Sequence, residues 1–83
     1  MFYRIDKNYL NGPLVTQTVR SVGDARLAGD ALRFRLVDAE GVPCFAGVGD
    51  EPGAKAALEW AVRNSPAISL QVLEGGEWTT LNL

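Results

Sequence analysis

The chain contains no histidine among its 83 residues. Histidine is the usual general base and proton shuttle near neutral pH, and it is also a common neutral ligand of metal ions. With no histidine and a single cysteine, the usual zinc sites cannot be assembled. We therefore predict that the protein is not an enzyme and that it has no catalytic residue, no metal site and no cofactor.

Cysteine is scarce as well, since Cys44 is the only one. One thiol cannot form an internal disulfide, and a fold without disulfides suits a reducing compartment. As a nucleophile, Cys44 would lack a histidine to activate it. We predict that Cys44 is a buried small side chain and that the protein is cytoplasmic.

The chain also lacks long apolar runs and runs of like charge. No apolar stretch approaches the ~20 residues of a membrane span, and residues 1–9 alternate charged with apolar residues, unlike a signal peptide. The 8 basic and 10 acidic residues are spread along the chain and leave a net charge of −2. This balance argues against a membrane or a nucleic acid as the partner.

Residues 1–83 are predicted to form a single domain, because so short a chain cannot build two separate hydrophobic cores. The pattern indicates the α+β class. We predict an antiparallel sheet of about five to six strands, with hairpins at residues 32–48 and 68–83, and one helix at about residues 51–64 packed on one face.

The C-terminal hairpin follows from alternating apolar residues on both sides of Gly75-Gly76. Two glycines can supply the positive φ angles that a two-residue primed turn requires. The pairs predicted from this turn are Leu73 with Trp78, Val72 with Thr79, Leu70 with Leu81 and Ile68 with Leu83.

The register of the hairpin at residues 32–48 depends on Gly41. A type I turn followed by a left-handed glycine makes a three-residue loop, which pairs Asp38 with Val42. A two-residue loop is the alternative, and it would put Phe45 beside Phe34. The three-residue loop turns Leu32, Phe34, Leu36, Cys44, Ala46 and Val48 inward and leaves Arg33, Arg35, Val37, Pro43 and Phe45 on the outer face.

The helix at residues 51–64 has marked ends, with Asp50 as a plausible N-cap and Pro52 in the first turn. Its predicted buried stripe is Ala54, Ala57, Leu58, Ala61 and Val62. The glycine-rich residues 47–55 superficially suggest a phosphate-binding loop, but the Gly-Lys-Ser/Thr element is missing. We interpret them as the capped start of the helix.

The N-terminal third is less regular. Residues 2–5 and 14–19 have the composition of strands, with Asn11-Gly12 as a turn between them. Residues 22–28 fit either a strand or a short helix.

The outer sheet face carries the functional prediction. Arginine together with aromatic and apolar side chains is typical of protein interfaces. Two alternatives remain open, namely that the N-terminal strands fold over this face and that the face binds RNA by stacking. The predicted partner-binding residues are Arg33, Arg35, Phe45, Leu73 and Trp78.

One family resemblance supports a binding role. A hairpin followed by residues 50–57, which open an alanine-rich helix, and then by Glu59-Trp60 and Ser65-Pro66 resembles small phage anti-CRISPR proteins of the type I-F inhibitor group. The resemblance implies a non-enzymatic protein that covers protein subunits of a CRISPR surveillance complex. No binding residue of that family can be carried over to this chain.

From these observations we predict a non-catalytic protein-binding module, in the manner of an inhibitor or accessory protein from a phage or other mobile element. The alternatives are a structural homodimer without separate activity and, ranked lower, a small-ligand or RNA-binding domain.

Overall fold

The structure is a computed structural model and describes residues 1–11, 20–23 and 31–81. These residues form one antiparallel sheet with the strand order β2-β1-β4-β3-β5-β6, and one helix packed against it. The predicted α+β class is therefore confirmed. The elements are β1 (Tyr3–Asn8), a 3-10 turn (Tyr9–Asn11), β2 (Arg20–Val22), β3 (Leu32–Val37), β4 (Pro43–Gly49), α1 (Glu51–Asn64), β5 (Ser69–Glu74) and β6 (Glu77–Thr80).

Helix α1 covers one face of the sheet through a stripe of small side chains. Ala54, Ala57 and Ala61 are fully buried, so the helix backbone lies close to the strands. Val62 was expected in this stripe, but its side chain is 51% exposed. It falls beyond the Leu58 edge of the buried stripe, so that prediction was wrong. In the part of the chain described here, no helix is long and apolar enough to cross a membrane.

The β5–β6 hairpin has the predicted turn and register. Gly75 and Gly76 have φ angles of 57° and 85°, and Leu73 pairs with Trp78. Val72 pairs with Thr79, as expected. The backbone N–H of Leu81 donates to the carbonyl of Leu70, which continues the register, whereas Leu83 lies outside the described residues.

Ile68 does not join the apolar face of that hairpin. Its side chain is 57% exposed, and its backbone N–H donates to the carbonyl of Val37 before β5 begins. The predicted pairing of Ile68 with Leu83 lies outside the described residues, and the regular pairing of β5 begins at Ser69.

The β3–β4 turn also forms as predicted. The N–H of Asp38 donates to the carbonyl of Val42, and Gly41 has a φ of 79°. Beyond the turn the register changes, because Val37 pairs with Pro43 while Leu36 pairs with Phe45. Cys44 is therefore the extra residue of a β-bulge.

This bulge reverses the expected orientation of the rest of β4. Phe45 was expected on the outer face, but it lies on the helix side, where its side chain is only 4% exposed. Ala46 and Val48 were expected inside, yet they pair with Arg35 and Arg33 and lie on the opposite side of the sheet from α1. The two-residue-loop alternative is also wrong, because Phe34 pairs with Gly47.

The N-terminal strand lies within the sheet. β1 pairs with β4 on one side and with β2 on the other, so neither of these strands folds over the outer face. The strand expected at residues 2–5 is confirmed and extends to Asn8. The strand expected at residues 14–19, the Gly12 turn position and residues 24–28 lie outside the described residues, whereas Val22 belongs to β2.

The glycine-rich residues before α1 form a capped helix start, as interpreted. The carboxylate of Asp50 accepts hydrogen bonds from the N–H of Gly53 at 2.7 Å and from the N–H of Phe2 at 3.1 Å. The Asp50 N–H in turn donates to the carbonyl of Phe2. The bond from Phe2 is the main reason that the pKa of Asp50 lies below its ordinary value.

Candidate interaction surface

The sheet surface opposite α1, called the outer face below, is built by rows of paired residues. Paired residues of antiparallel strands point to the same side of a sheet. One row runs across five strands, and a shorter row lies beside it on β1, β4 and β3. The long row is Lys7, Ala46, Arg35, Gln71 and Thr80, and the short row is Arg4, Val48 and Arg33.

Arg35 and Trp78 form the central contact of the outer face. The guanidinium carbon of Arg35 lies 4.4 Å from the centroid of the Trp78 ring. Its Nε donates a hydrogen bond of 2.6 Å to Oε1 of Gln71 on the strand between them. A cation over an indole face is attracted by the ring quadrupole, so the two side chains hold each other in place.

A cleft of about 170 Å³ crosses the outer face. It is lined by residues from β1, the 3-10 turn, β3, β4 and β6. Within the sheet, β1 and β4 lie on one side of β3, which carries Arg33, and β6 lies on the other side. The β1 residues of this cleft could not be predicted from the sequence, because only the pairing of β1 with β4 brings them here. The lining residues are Asp6, Lys7, Tyr9, Arg33, Ala46, Gly47 and Trp78.

The charges on the outer face are mostly positive. Arg4 is paired with Asp6, whose Oδ1 lies 2.8 Å from the Arg4 Nε. No described carboxylate lies within salt-bridge distance of Lys7, Arg33 or Arg35. The outer face therefore differs in sign from the chain as a whole, which has a net charge of −2.

Four of the five predicted partner-binding residues belong to the outer face. Arg33 is exposed, while Arg35, Leu73 and Trp78 are partly exposed. Leu73 pairs with Trp78, and Arg33 and Trp78 line the same cleft. The fifth residue, Phe45, lies on the other side of the sheet, where its ring centroid is 5.0 Å from that of Trp60.

A second cleft, of about 350 Å³, lies beside the helix. Here Arg20 of β2 lies over the rings of Trp60 and Tyr3, and its Nε donates to the hydroxyl of Tyr3. These contacts fasten the short edge strand β2 to α1 and β1. Arg20 therefore has a structural role in this part of the protein.

The thiol of Cys44 is buried, as predicted. Its side chain is 2% exposed, and burial raises the pKa of the thiol, with a further contribution from the negative charge of Asp38. A raised pKa lowers the thiolate fraction, and the thiolate is the nucleophilic form. Among the residues described, no group of three or more Cys, Asp or Glu side chains could hold a metal ion.

No family model matches the chain, and neither the curated proteins nor the solved structures contain a match. The function must therefore be inferred from the geometry and charge of the chain itself. The outer face brings together arginine, tryptophan and tyrosine, which are residue types enriched in protein interfaces.

Proposed function

We propose that the protein is a non-catalytic protein-binding module that acts through the outer face, with Arg33, Arg35, Leu73 and Trp78 as the contacting residues. The stacking of Arg35 on Trp78 carries this proposal. Tryptophan and arginine are enriched among the residues that dominate binding energy at protein interfaces.

The geometry supports binding because the central side chains are already held. Immobilising a flexible side chain in an interface costs roughly 0.5–1.5 kcal/mol. Arg35 is fixed from above by the indole of Trp78 and from the side by Gln71. A partner that contacts this arginine therefore meets a side chain that has little freedom left to lose.

Substitution of Trp78 tests the proposal. Trp78→Ala should abolish capture of the natural partner from the native host, while the melting temperature changes little. Val42→Ala is the control, because Val42 is an exposed apolar residue at the β3–β4 turn that lines neither the outer-face cleft nor the cleft beside Ile68. Retained capture by Trp78→Ala, or equal loss of capture in both variants, would contradict the proposal.

We further propose a phage or mobile-element inhibitor that acts in the cytoplasm, on the basis of the resemblance to type I-F anti-CRISPR proteins. This makes the protein subunits of a type I-F surveillance complex the first partner to examine. Co-elution of the purified complex with the wild-type protein, but not with Trp78→Ala, would support the assignment. If the wild-type protein elutes separately from the complex, the inhibitor assignment is wrong.

A structural homodimer is the second candidate, and one observation favours it. Val62 and Ile68 are both more than half exposed and border a shallow cleft with Leu58. Exposed apolar clusters of this kind mark contact sites. Light scattering over a range of concentrations would detect the dimer, and Ile68→Asp should dissociate it.

A further inference from the structure

We propose that the outer face binds a short acidic segment that also carries an aromatic or apolar side chain. This inference rests on the proposed function, because it uses the same surface and specifies its partner. The acidic residues would meet Lys7 and Arg33, and the apolar side chain would enter the cleft beside Trp78.

The segment is proposed to be acidic because the outer face is positively charged. Arg33 and Arg35 alternate along β3, about 7 Å apart, and Lys7 occupies the same row as Arg35. This spacing is shorter than the screening length of about 8 Å at physiological ionic strength, so the two arginine charges act together. Lys7 lies two strands from Arg35, about 10 Å away, and extends the positive charge toward β1. Within the described residues, Asp6 is the acidic side chain of the cleft, and Arg4 already neutralises it.

The carboxylates of β5, β6 and α1 lie away from the outer face. Glu74 and Glu77 pair with each other at the β5–β6 turn, next to the Leu73–Trp78 pair, and alternation turns them to the opposite side of the sheet. Glu51 and Glu59 are on α1, which packs on that opposite side. An acidic partner therefore meets little repulsion from the described part of the outer face.

The size of the outer face favours a segment over a folded domain. Six strands about 4.8 Å apart and about five residues long present roughly 400–500 Å². Stable interfaces between folded proteins bury about 800 Å² per partner. An extended segment lying across the strands can use this smaller area, with electrostatic attraction speeding its association.

The apolar component follows from the cleft. Its volume of about 170 Å³ is close to that of the roughly 150 Å³ cavity that accommodates a benzene molecule. Trp78 and Tyr9 supply aromatic surface, and Ala46 lines the cleft with them. One aromatic or large aliphatic side chain of the segment fits this space.

The same observations argue against RNA. Sheet surfaces that bind RNA expose aromatic faces on which bases stack. The guanidinium of Arg35 already covers one face of Trp78, which leaves less aromatic surface on which a base could stack.

The test is a selection from a library of random 12-residue peptides displayed on phage, with the full chain as the immobilised target. Selected peptides should be enriched in Asp and Glu next to an aromatic or aliphatic residue, and their binding should weaken as NaCl is raised. Arg33→Glu and Lys7→Glu should each weaken binding by about tenfold or more. Lys55→Glu and Arg63→Glu on α1 are the charge-matched controls and should bind as wild type does, with all four melting temperatures measured.

The outcomes separate the inference from the proposed function. Peptides that require Trp78 but show no acidic enrichment would overturn the inference and leave the binding function standing. Failure to select any peptide that requires Trp78 would count against both. Tighter binding of a labelled oligouridylate than of the acidic peptides would replace the acidic segment with RNA.

Discussion

Gly53 in the first turn of α1 packs directly against the carbonyl oxygen of Phe2, so closely that a β-carbon at residue 53 would overlap that oxygen. Together with the hydrogen bonds of Asp50, this contact fixes the start of the helix to the beginning of β1. The glycine-rich residues before the helix therefore serve close packing between two backbones.

Gly53→Ala should destabilise the protein by about 1–3 kcal/mol, because the added methyl group must displace either the helix or β1. In a helix without this contact the same change would stabilise by roughly 0.5–1 kcal/mol. Urea unfolding therefore distinguishes the two cases by the sign of the change. Gly75→Ala is the control for backbone strain alone, because residue 75 has open space but a positive φ, and it should cost about 1–2 kcal/mol.

The stability of the protein should fall at acid pH partly through Asp50. Its pKa lies below the ordinary value of 3.8 in the folded protein, chiefly because the carboxylate accepts the Phe2 N–H. The carboxylate therefore stabilises the fold above the unfolded pKa, and this contribution is lost as the pH falls through the folded pKa. Asp50→Asn should lower the free energy of unfolding at pH 7 and flatten its dependence on pH between 2 and 5.

Glu51→Gln is the matched control for that experiment, since Glu51 is exposed in the same helix turn. Its pH profile should follow that of the wild type. If the free energy of unfolding of Asp50→Asn depends on pH as steeply as that of the wild type, another carboxylate controls the stability at acid pH.

Phe45 and Trp78 should respond in opposite ways to truncation. Phe45→Ala removes a buried ring that packs against Trp60, and it should cost about 3–5 kcal/mol. Trp78→Ala removes a partly exposed ring on the outer face, and it should cost about 1 kcal/mol or less. Guanidinium unfolding of both variants tests the β-bulge at Cys44, because equal losses would mean that the two rings are buried alike.

Cys44 should react slowly with a thiol-specific reagent in the native protein. Its side chain is buried, and burial raises the pKa of the thiol. We expect the labelling rate to follow the rate or equilibrium of unfolding and to rise steeply with urea. Fast labelling without urea would place the thiol at the surface and revive Cys44 as a nucleophile.

The parts of the fold that could be predicted from the sequence are those that local chemistry determines. Gly41 and the Gly75-Gly76 pair adopt positive φ angles, as their turns require. The positions of the β3–β4 and β5–β6 turns could therefore be predicted from these glycines. The helix bounds followed from Asp50 and from the Pro66 region, where α1 ends at Asn64. Four outer-face residues followed from simple alternation along β3, β5 and β6.

The features that could not be predicted arise from contacts between distant parts of the chain. No residue of the β3–β4 hairpin by itself requires a bulge at Cys44. The bulge places Phe45 on the helix side of the sheet, where its ring packs against Trp60 of α1. Likewise, Lys7 and Tyr9 reach the cleft only because β1 pairs with β4. Alternation along one strand carries no information about which strand will lie beside it.

The pairing of β1 with β4 also has a consequence for biosynthesis. Tyr3 and Ile5 have Gly49 and Gly47 as partners, so β1 cannot be completed until the ribosome has made residues 43–49. The apolar side chains of β1 can meet β2 earlier, but they lack their neighbours on β4 until about forty further residues have been made, and such non-local strand pairs form slowly. The nascent chain is therefore most vulnerable to misassociation before β4 is made, and slowing translation ahead of residue 43 should reduce the yield of soluble protein.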